Sequence, residues 1–588
     1  MISQAARSPL FVAPDHIGTR RFRLRFLAAV ITFLGLALIG RLAYVQLALH
    51  DHYGAMAKDE HWRQIAVPPR RGDIVDRTGI PLATTVTYQS LYATTSEISH
   101  PSATAASLAP ILGIDPAALT ATMSKQVAAP TLIQPWLTEE KVNQIKALAL
   151  AGLFFQQEPK RVYPQGALAA QLLGVVGADN NGLSGLEVRF NGSLAGRAGS
   201  VVAERDTDGS AIAFSPQLYQ AATQGEALNL TIDRYIQWIS ERQLAAAVQA
   251  HHARGGTVVI LDPTDGAILA LASLPTLNPD DPDRYSSREV SLYGIPAVAR
   301  AAEPGTIFNI FTVAAALDAG TVTPQTSFNY DGSLTYVGET ITDTKKFSLG
   351  PMTVLQSLAF SSNVGASWIG TTVSPYRYYR TLSNLELGHA TGVDLPGETD
   401  GLLRMPTDLD WSATDLATNA FGQGVEVTAI QLAAATAAIA NNGIPAKPYV
   451  VRAVGSGGEQ KLVRPASLPP AMSAAAARSL TGMLESIVDD SATTEGKLAR
   501  VPGYALAGKA GRSITPDSTD ANQESTVATF VGFGPVDRPK FAMVVQIDGP
   551  TDGVAADEVT SPIFHAIASE LLNYYQIPPS RAVLANGT

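Results

Sequence analysis

Thr306 opens an apolar, Ala-rich segment, TIFNIFTVAAALDAG, that directly follows a Glu-Pro-Gly turn. The turn and the apolar run predict a helix that begins at Thr306. Asn309 lies three positions further on, so its side chain shares one face of that helix with the Thr306 hydroxyl. A nucleophile and its base are presented together in this way, but an asparagine cannot take up a proton. The segment therefore predicts the frame of an active site that lacks a general base.

Two other polar clusters follow this segment along the chain. Ser361, Ser362 and Asn363 precede another helical segment, and Lys509 is followed by Ala and Gly on a segment with strand character. Taken separately, Ser-Ser-Asn is typical of a helix cap, Gly-Lys-Ala-Gly of a loop, and the segment at Thr306 of a buried helix. Only the order of the three clusters within one chain suggests a common site.

The segments around these clusters predict an antiparallel sheet flanked by helices. TVVILDPTDGAILALAS has two apolar runs about a Pro-Thr-Asp-Gly turn, as a β-hairpin does, and VATFVGFGPVDRPKFAMVVQID repeats that pattern before a closing helix, PIFHAIASELLNYY. Strands at both ends with helices between them indicate an α/β sandwich that starts near Leu228. Upstream, strands and tight turns in PPRRGDIVDRTGIPLATTVTYQSLYAT and short helices over 102–150 predict a separate α+β region.

The N-terminal region predicts a membrane anchor. Residues 26–49 are apolar except for Arg41 and Gln46, and four arginines lie within residues 20–25. The run is long enough to span a bilayer, and the arginines place the N-terminus in the cytoplasm, with the bulk of the chain on the periplasmic side of the inner membrane. A signal peptide cleaved at Ala-Met-Ala, residues 55–57, is the alternative. Arg41 either snorkels to the headgroups or binds a partner within the membrane.

Composition narrows the function classes. The chain has 588 residues, of which 46% are hydrophobic and 16% charged, as expected for several folded domains rather than a disordered chain. A net charge of −10 without a basic stripe argues against a nucleic-acid partner. The nine histidines show no metal-ligand spacing, and no phosphate-binding glycine motif is present. We therefore expect neither a metal nor a cofactor.

The three clusters resemble the S-x-x-K, S-x-N and K-T-G motifs of penicillin-binding proteins and serine β-lactamases. From the anchor to about residue 575, further segments resemble class B penicillin-binding proteins, the bitopic transpeptidases of peptidoglycan synthesis: RGDIVDRTGIPLA, GLSGLEVRFNGSLAGRAG, TIDRYIQ, LDPTDGAILALASLP, EPG, SSNVG, DLPGE and FGQGVEVTAIQLAAATAAIANNG. The chain is identified as a division-type member of this family with degenerate active-site motifs.

The resemblance implies a domain order and a site. The regions are a cytoplasmic tail (1–25), a transmembrane anchor (26–49), an elongated pedestal or dimerisation domain (50–225), a transpeptidase-like penicillin-binding domain (226–575) and a C-terminal tail (576–588). In the family, a serine attacks the penultimate D-Ala carbonyl of a stem peptide, and a lysine one turn later is its base. Thr306 occupies the nucleophile position and Asn309 the lysine position. Ser361 and Asn363 match the second motif, which relays protons and positions substrate.

The third motif is altered as well. Lys509 and Gly511 match the lysine and glycine that hold the carboxylate and carbonyl of the peptide, but Ala510 and Arg512 replace the hydroxyl residues on either side of Gly511. The missing hydroxyl at Ala510 removes a substrate hydrogen bond of roughly 1 kcal/mol. Arg512 places a bulky cation at the cleft. We expect these four positions to bind substrate more weakly than the family pattern would.

The changes at the first motif are more damaging. Thr306 keeps a hydroxyl, but its methyl group stiffens χ1 and crowds the path of attack. Asn309 removes the titratable group, and general-base catalysis contributes about 10²–10⁴-fold. The sequence therefore predicts a site that is chemically dead or nearly so.

Three functions follow from these expectations. The first is a scaffold or regulator of a septal SEDS-type membrane glycosyltransferase that keeps the fold and not the acylation chemistry. The second is an active D,D-transpeptidase with Thr306 as nucleophile and Lys509 as base. The third is a sensor that binds peptidoglycan stem peptides or β-lactams without turnover.

Overall fold

A computed structural model describes residues 17–53, 62–125, 127, 130–177, 179–204, 218–280, 294–345, 347–455, 460–463, 468–489, 496–516, 524–551 and 553–580. The chain forms two compact units. One comprises Met1–Val67 and Ala198–Ala222, and the other comprises Pro68–Arg197 and Thr223–Thr588. The domain boundaries given above stay a prediction. The alternative cleavage site at residues 55–57 lies outside the described residues, as do the outer parts of both predicted tails.

The first unit contains the N-terminal helix and a small sheet. The helix covers Ile17–Ala43 and continues as a π-helical turn over Tyr44–Ala48. Within the described part of the chain, Arg21–Ala48 is the one helix long and apolar enough to cross a membrane, and it fits a single-pass anchor. Strands β1 (Trp62–Val67), β6 (Gly199–Glu204) and β7 (Leu218–Gln220) form an antiparallel sheet in the order β1-β6-β7.

The second unit begins with a mixed sheet. Its strands are β2 (Ile74–Val75), β3 (Pro81–Ala93), β4 (Thr131–Leu137), β5 (Leu153–Val162), β8 (Leu228–Leu230), β15 (Val451–Val454) and β16 (Lys461–Leu462). The order is β16-β15-β8-β2-β3-β4, and β5 also pairs with β3; among the described strand pairs of this sheet, β2 and β8 run parallel and the others antiparallel. The helices here are Pro101–Leu112, Pro116–Met123, Glu139–Ala147, Ala170–Leu173, Gly185–Arg189 and Asn191–Leu194, with a 3₁₀ turn at Thr95–Glu97.

A buried ion cluster joins the chain segments at the start of this unit. The Glu187 carboxylate accepts Arg71 Nε at 2.6 Å and Arg161 Nε at 2.7 Å, and its side chain is fully buried. Arg71 also donates to Asn191 Oδ1 and Arg161 donates to the Gly72 carbonyl. Buried charges persist in proteins when they are paired and hydrogen-bonded. Arg71, the second arginine of RRGD, and Glu187, the glutamate of GLSGLE, therefore have a structural reason to be present.

A five-stranded antiparallel sheet forms the centre of the transpeptidase-like region. It consists of β9 (Gly255–Leu261), β10 (Ile268–Leu274), β17 (Ala507–Pro516), β18 (Glu524–Gly534) and β19 (Phe541–Asp548), in the order β10-β9-β19-β18-β17. The predicted hairpins β9–β10 and β18–β19 are confirmed. The α/β fold with an antiparallel sheet flanked by helices is confirmed too.

The two faces of this sheet bury different helices because successive strand residues point to opposite faces. Val259 and Leu261 belong to a core with the helices Asn309–Ala319, Ala429–Ala440 and Ala474–Asp489. Val258 and Ile260 belong to another core with the helices Arg234–Ala250 and Ala556–Tyr574. The other helices that the structure describes in this region are Pro296–Ala299, Val354–Ala359, Asn363–Thr371, Pro375–Asn384 and Asp415–Asn419, with 3₁₀ turns at Gly305–Phe308 and Lys497–Ala499.

Two short strand pairs lie beside the helix Asn363–Thr371. They are β11 (Ser327–Tyr330) with β14 (Gly350–Thr353), and β12 (Ser333–Tyr336) with β13 (Glu339–Thr342). Phe328 stacks on Trp368 of that helix with ring centroids 4.6 Å apart. This cluster supports the helix that carries the second motif.

Candidate active site

Thr306 lies in a 3₁₀ turn, Gly305–Phe308, and the α-helix begins only at Asn309. Gly305 has φ +59°, and a Cβ atom there would stand 2.1 Å from the Arg512 carbonyl oxygen. The glycine therefore lets the turn pack directly on strand β17. As a result the Arg512 backbone N–H donates to Thr306 Oγ1 at 3.3 Å. The predicted helix start is thus tighter than expected, but Thr306 does face the strand of the third motif.

Asn309 is 1% exposed in the apolar helix that follows. Among the residues that the structure describes, neither Oδ1 nor Nδ2 of its side chain has a hydrogen-bond partner. A buried amide without partners destabilises a fold by about 1–3 kcal/mol. Its carboxamide has no proton-accepting nitrogen at neutral pH, so this position supplies no general base.

Ser361 owes its orientation to the junction of two helices. It follows the helix Val354–Ala359 with φ +56°, and the Ser362 N–H donates to the Ser357 carbonyl at 3.1 Å. A left-handed residue and this longer hydrogen bond are the signature of a Schellman helix end. Ser362 then caps the next helix by accepting the Gly365 N–H at 2.9 Å. The expected helix cap is therefore present, and it turns the Ser361 side chain towards β17.

Lys509 lies on β17, as predicted, and is fully buried. Its Nζ donates to Ser361 Oγ at 2.5 Å and to the Ala510 carbonyl at 2.7 Å. The second and third sequence clusters, 148 residues apart, thus meet in a direct hydrogen bond. This bond brings the amine of Lys509 to the second motif.

The rest of the third motif shapes the wall of a cleft. A Cβ atom at Gly511 would stand 2.5 Å from the Ile307 backbone nitrogen, so a glycine is required for β17 to approach the turn at Thr306. Ala510 is 2% exposed and belongs to the core beneath the sheet. Arg512 is exposed and lines the cleft, as expected from the sequence.

The cleft has a volume of about 240 Å³. Its walls bring together the three clusters that the sequence singled out, including Thr306, Ser361, Asn363 and Gly511. A small pocket with a few convergent polar groups is the usual form of a ligand site. It offers the hydroxyls of Thr306 and Ser361, and the buried Lys509 donates to Ser361, but position 309 supplies no proton acceptor.

Sequence reasoning did not point to Asp343, an acidic residue that lines this cleft. It follows β13 and accepts hydrogen bonds from the Ser362 hydroxyl at 2.7 Å and from the Asn363 N–H at 2.5 Å. Burial and the hydrogen bond with Asp343 raise the pKa of Tyr330 to about 12, so the phenol remains protonated. No local sequence signal marks Asp343, because its partners lie about 20 residues downstream.

Comparisons with known proteins agree with this architecture. The family model described as penicillin binding protein transpeptidase domain matches residues 256–569, and the penicillin-binding protein dimerisation domain matches residues 66–230. Stage V sporulation protein D of Bacillus subtilis is 30% identical over 572 residues, covering 96% of this chain and 87% of that protein. Peptidoglycan D,D-transpeptidase FtsI of Escherichia coli is 29% identical over 577 residues, covering 96% of this chain and 94% of that protein.

Solved structures give the same result. The crystal structure of penicillin binding protein 3 from Mycobacterium tuberculosis, complexed with aztreonam, matches with a TM-score of 0.68 and 26% identity over 89% of this chain and 100% of that chain. A transpeptidase model covering more than half of this chain and relatives matched along most of their length establish the family. The chain belongs to the class B penicillin-binding proteins of cell wall synthesis and division, with a dimerisation domain followed by a transpeptidase domain.

Proposed function

We propose that this chain is a catalytically impaired class B penicillin-binding protein that acts as a scaffold or regulator of a septal glycosyltransferase. The observation that supports impairment is Asn309, buried at the position where the resemblance places the catalytic lysine. Acylation needs a group that removes the proton of the nucleophile, and such a base contributes about 10²–10⁴-fold. Threonine nucleophiles are usually activated by their own N-terminal amine, which an internal Thr306 does not have.

The alternative is an active transpeptidase with Lys509 as the base for Thr306. The hydrogen bond of Lys509 Nζ to Ser361 Oγ directs the amine to the second motif, which weighs against this alternative. The Arg512 N–H at Thr306 Oγ1 leaves a backbone donor in place for a developing oxyanion. Such a donor stabilises charge but does not remove a proton, so it does not substitute for the missing base.

The scaffold role rests on the parts of the chain outside the cleft. The apolar helix suits a bilayer span, and the arginines within residues 20–25 favour a cytoplasmic N-terminus and a periplasmic bulk. By resemblance, the anchor and the membrane-proximal region, residues 50–225, contact a SEDS-type glycosyltransferase in the inner membrane. Exchange of residues 26–49 for an unrelated spanning segment should then abolish co-purification with that enzyme in detergent, whereas Thr306→Ala should leave it unchanged.

The test of impairment is incubation of the full chain with a fluorescent penicillin, followed by denaturing electrophoresis. We expect no covalent band, and the same result for Thr306→Ala. An adduct that survives denaturation and maps to Thr306 by peptide mass spectrometry would show that the chain acylates. The scaffold role would fail separately if Thr306→Ala alone removed the cellular phenotype.

A second candidate function is a sensor that binds stem peptides or β-lactams without turnover. The observation that favours it is the open cleft lined by Ser361 and by the exposed Arg512, a cation suited to a peptide carboxylate. Equilibrium binding of a D-Ala-D-Ala peptide should then saturate and weaken in Arg512→Ala. Absence of saturable binding would leave the scaffold role alone.

A further inference from the structure

The Asp343 carboxylate accepts hydrogen bonds from the start of one helix and from a neighbouring strand. One carboxylate oxygen accepts the Ser362 hydroxyl at 2.7 Å, and the other accepts the backbone N–H groups of Asn363 at 2.5 Å and Val364 at 3.2 Å. The phenol of Tyr330, on β11, bonds to the same carboxylate. Three of these donors belong to the start of the helix Asn363–Thr371, whose first N–H groups have no partner within the helix.

A carboxylate at this place both stabilises the start of the helix and fixes its position. It compensates the partial positive charge of the helix N-terminus and fixes the direction in which the helix begins. Ser361 comes directly before these residues in a left-handed conformation, which is unfavourable for a residue with a Cβ. Any shift of Ser362 therefore moves the Ser361 hydroxyl relative to Lys509 Nζ, 2.5 Å away.

The hairpin that precedes Asp343 is held in place by packing. Asp343 follows β13, whose hairpin with β12 packs on the helix Asn363–Thr371 through Ile341, and it also lines the cleft. The carboxylate thus connects that hairpin to the second motif at the wall of the cleft.

We infer that Asp343 is a positioning residue of the cleft, which holds Ser361 against Lys509 and Asn363 at the cleft wall through the helix start at Ser362. No sequence motif used above assigns it a role. The inference concerns the same cleft as the proposed function but does not depend on whether Thr306 acylates, because its test measures the position of the second motif and no chemical step.

The experiment is amide hydrogen exchange of the full chain with Asp343→Asn. Loss of the charge should speed exchange at Asn363 and Val364 by about tenfold, the effect of weakening hydrogen bonds to a charged acceptor. The matched control is Asp233→Asn. Asp233 likewise accepts two N–H groups at the start of a helix, Arg234–Ala250, and a tyrosine hydroxyl, that of Tyr574.

A double-variant cycle separates positioning from simple helix capping. Lys509→Met removes the hydrogen bond from Nζ to Ser361 Oγ. The double variant with Asp343→Asn should therefore speed exchange in the 361–364 segment by less than the product of the two single fold-changes. For Asp233→Asn with Lys509→Met, the fold-changes in exchange of the same segment should multiply, because no described hydrogen bond links Asp233 to Lys509 or Ser361.

Each outcome decides the inference. Faster exchange at 363–364 together with non-multiplicative coupling to Lys509 supports it. Unchanged exchange in Asp343→Asn, or effects of Asp343→Asn and Lys509→Met that multiply as independent changes do, overturns it. Coupling of the same size in the Asp233 cycle overturns it as well, because the effect would then be a general loss of stability.

Discussion

Replacement of Glu187 by Gln should be among the most destabilising single changes in this chain. The Glu187 side chain is fully buried and bonds to Arg71 Nε at 2.6 Å and Arg161 Nε at 2.7 Å, while the side chains of the two arginines are 0% and 4% exposed. Glutamine keeps one acceptor but loses the charge, and its NH₂ group then faces a guanidinium that can only donate. Two buried cations are left without their counter-charge.

The magnitude follows from this geometry. Removal of one partner of a buried ion pair costs about 3–5 kcal/mol. Arg71 retains hydrogen bonds to the Asn180 and Glu187 carbonyls, which limits the loss. We therefore expect about 3 kcal/mol for Glu187→Gln and about 5 kcal/mol for Glu187→Ala, out of a typical total of about 5–15 kcal/mol for a folded domain.

Urea denaturation followed by circular dichroism would measure the change as a shift in midpoint. The matched control is the more exposed pair Arg70–Asp73, 3.2 Å apart with side chains 57% and 34% exposed. Asp73→Asn should change stability by less than about 1 kcal/mol. If Glu187→Gln stayed within about 1 kcal/mol of the parent, or matched Asp73→Asn, the reasoning from buried charge would be refuted.

Four further predictions concern the cleft and its surroundings. Thr306→Ser with Asn309→Lys should make a covalent penicillin band appear where the parent shows none, because a general base contributes about 10²–10⁴-fold; a well-folded double variant without an adduct would indicate a changed cleft shape. Asn309→Leu should raise the free energy of unfolding by about 1–3 kcal/mol, because a buried unpaired amide is removed; a urea midpoint at or below that of the parent would contradict this. Val337, 62% exposed at φ +50°, is a β-branched residue in left-handed backbone. Val337→Asn should raise the free energy of unfolding, measured in urea, by roughly 0.5–1 kcal/mol. A loss of stability would contradict the strain argument. Burial raises the pKa of Glu241, so native stability falls as the pH rises through that raised value. The Glu241→Gln variant should therefore have a higher free energy of unfolding than the parent at neutral pH, and this difference should disappear in acid. A difference in stability that does not change with pH would exclude this cause.

The sequence predicted those parts of the fold whose signal is local. Strands β9 and β10 are apolar runs on either side of a Pro-Thr-Asp-Gly turn, and β18 and β19 repeat the pattern, so apolar runs and turn chemistry agree. Strand β4, Thr131–Leu137, lies within residues 102–150, where short helices were predicted, so the prediction was wrong for this segment. Its sequence TLIQPWL lacks clean alternation and contains a proline, and the strand forms because it pairs with β3, some 40 residues upstream.

The candidate site likewise has features that the sequence predicts and features that it does not. The order of Thr306, Ser361 and Lys509 in the chain led us to expect one site. Thr306 and Ser361 line one cleft, and the buried Lys509 bonds to Ser361. The left-handed backbone of Ser361 and the contacts of Asp343 were not expected. A serine carries no signal for positive φ as a glycine does, and a carboxylate that caps a helix 20 residues downstream has no sequence period.

The residues around the cleft are of two kinds: some are required by the packing of the fold, and others are not and therefore indicate whether the cleft binds a ligand. Gly305 and Gly511 are required by the packing of β17 on the turn at Thr306, so the fold would need them with or without a ligand. Lys509 is different, because burying an ammonium group is unfavourable unless its interactions compensate. An apolar residue of similar length would satisfy the core at lower cost. A buried lysine bonded to Ser361 beside an open cleft therefore favours a site still used for binding, even where Asn309 removes the proton acceptor that acylation requires.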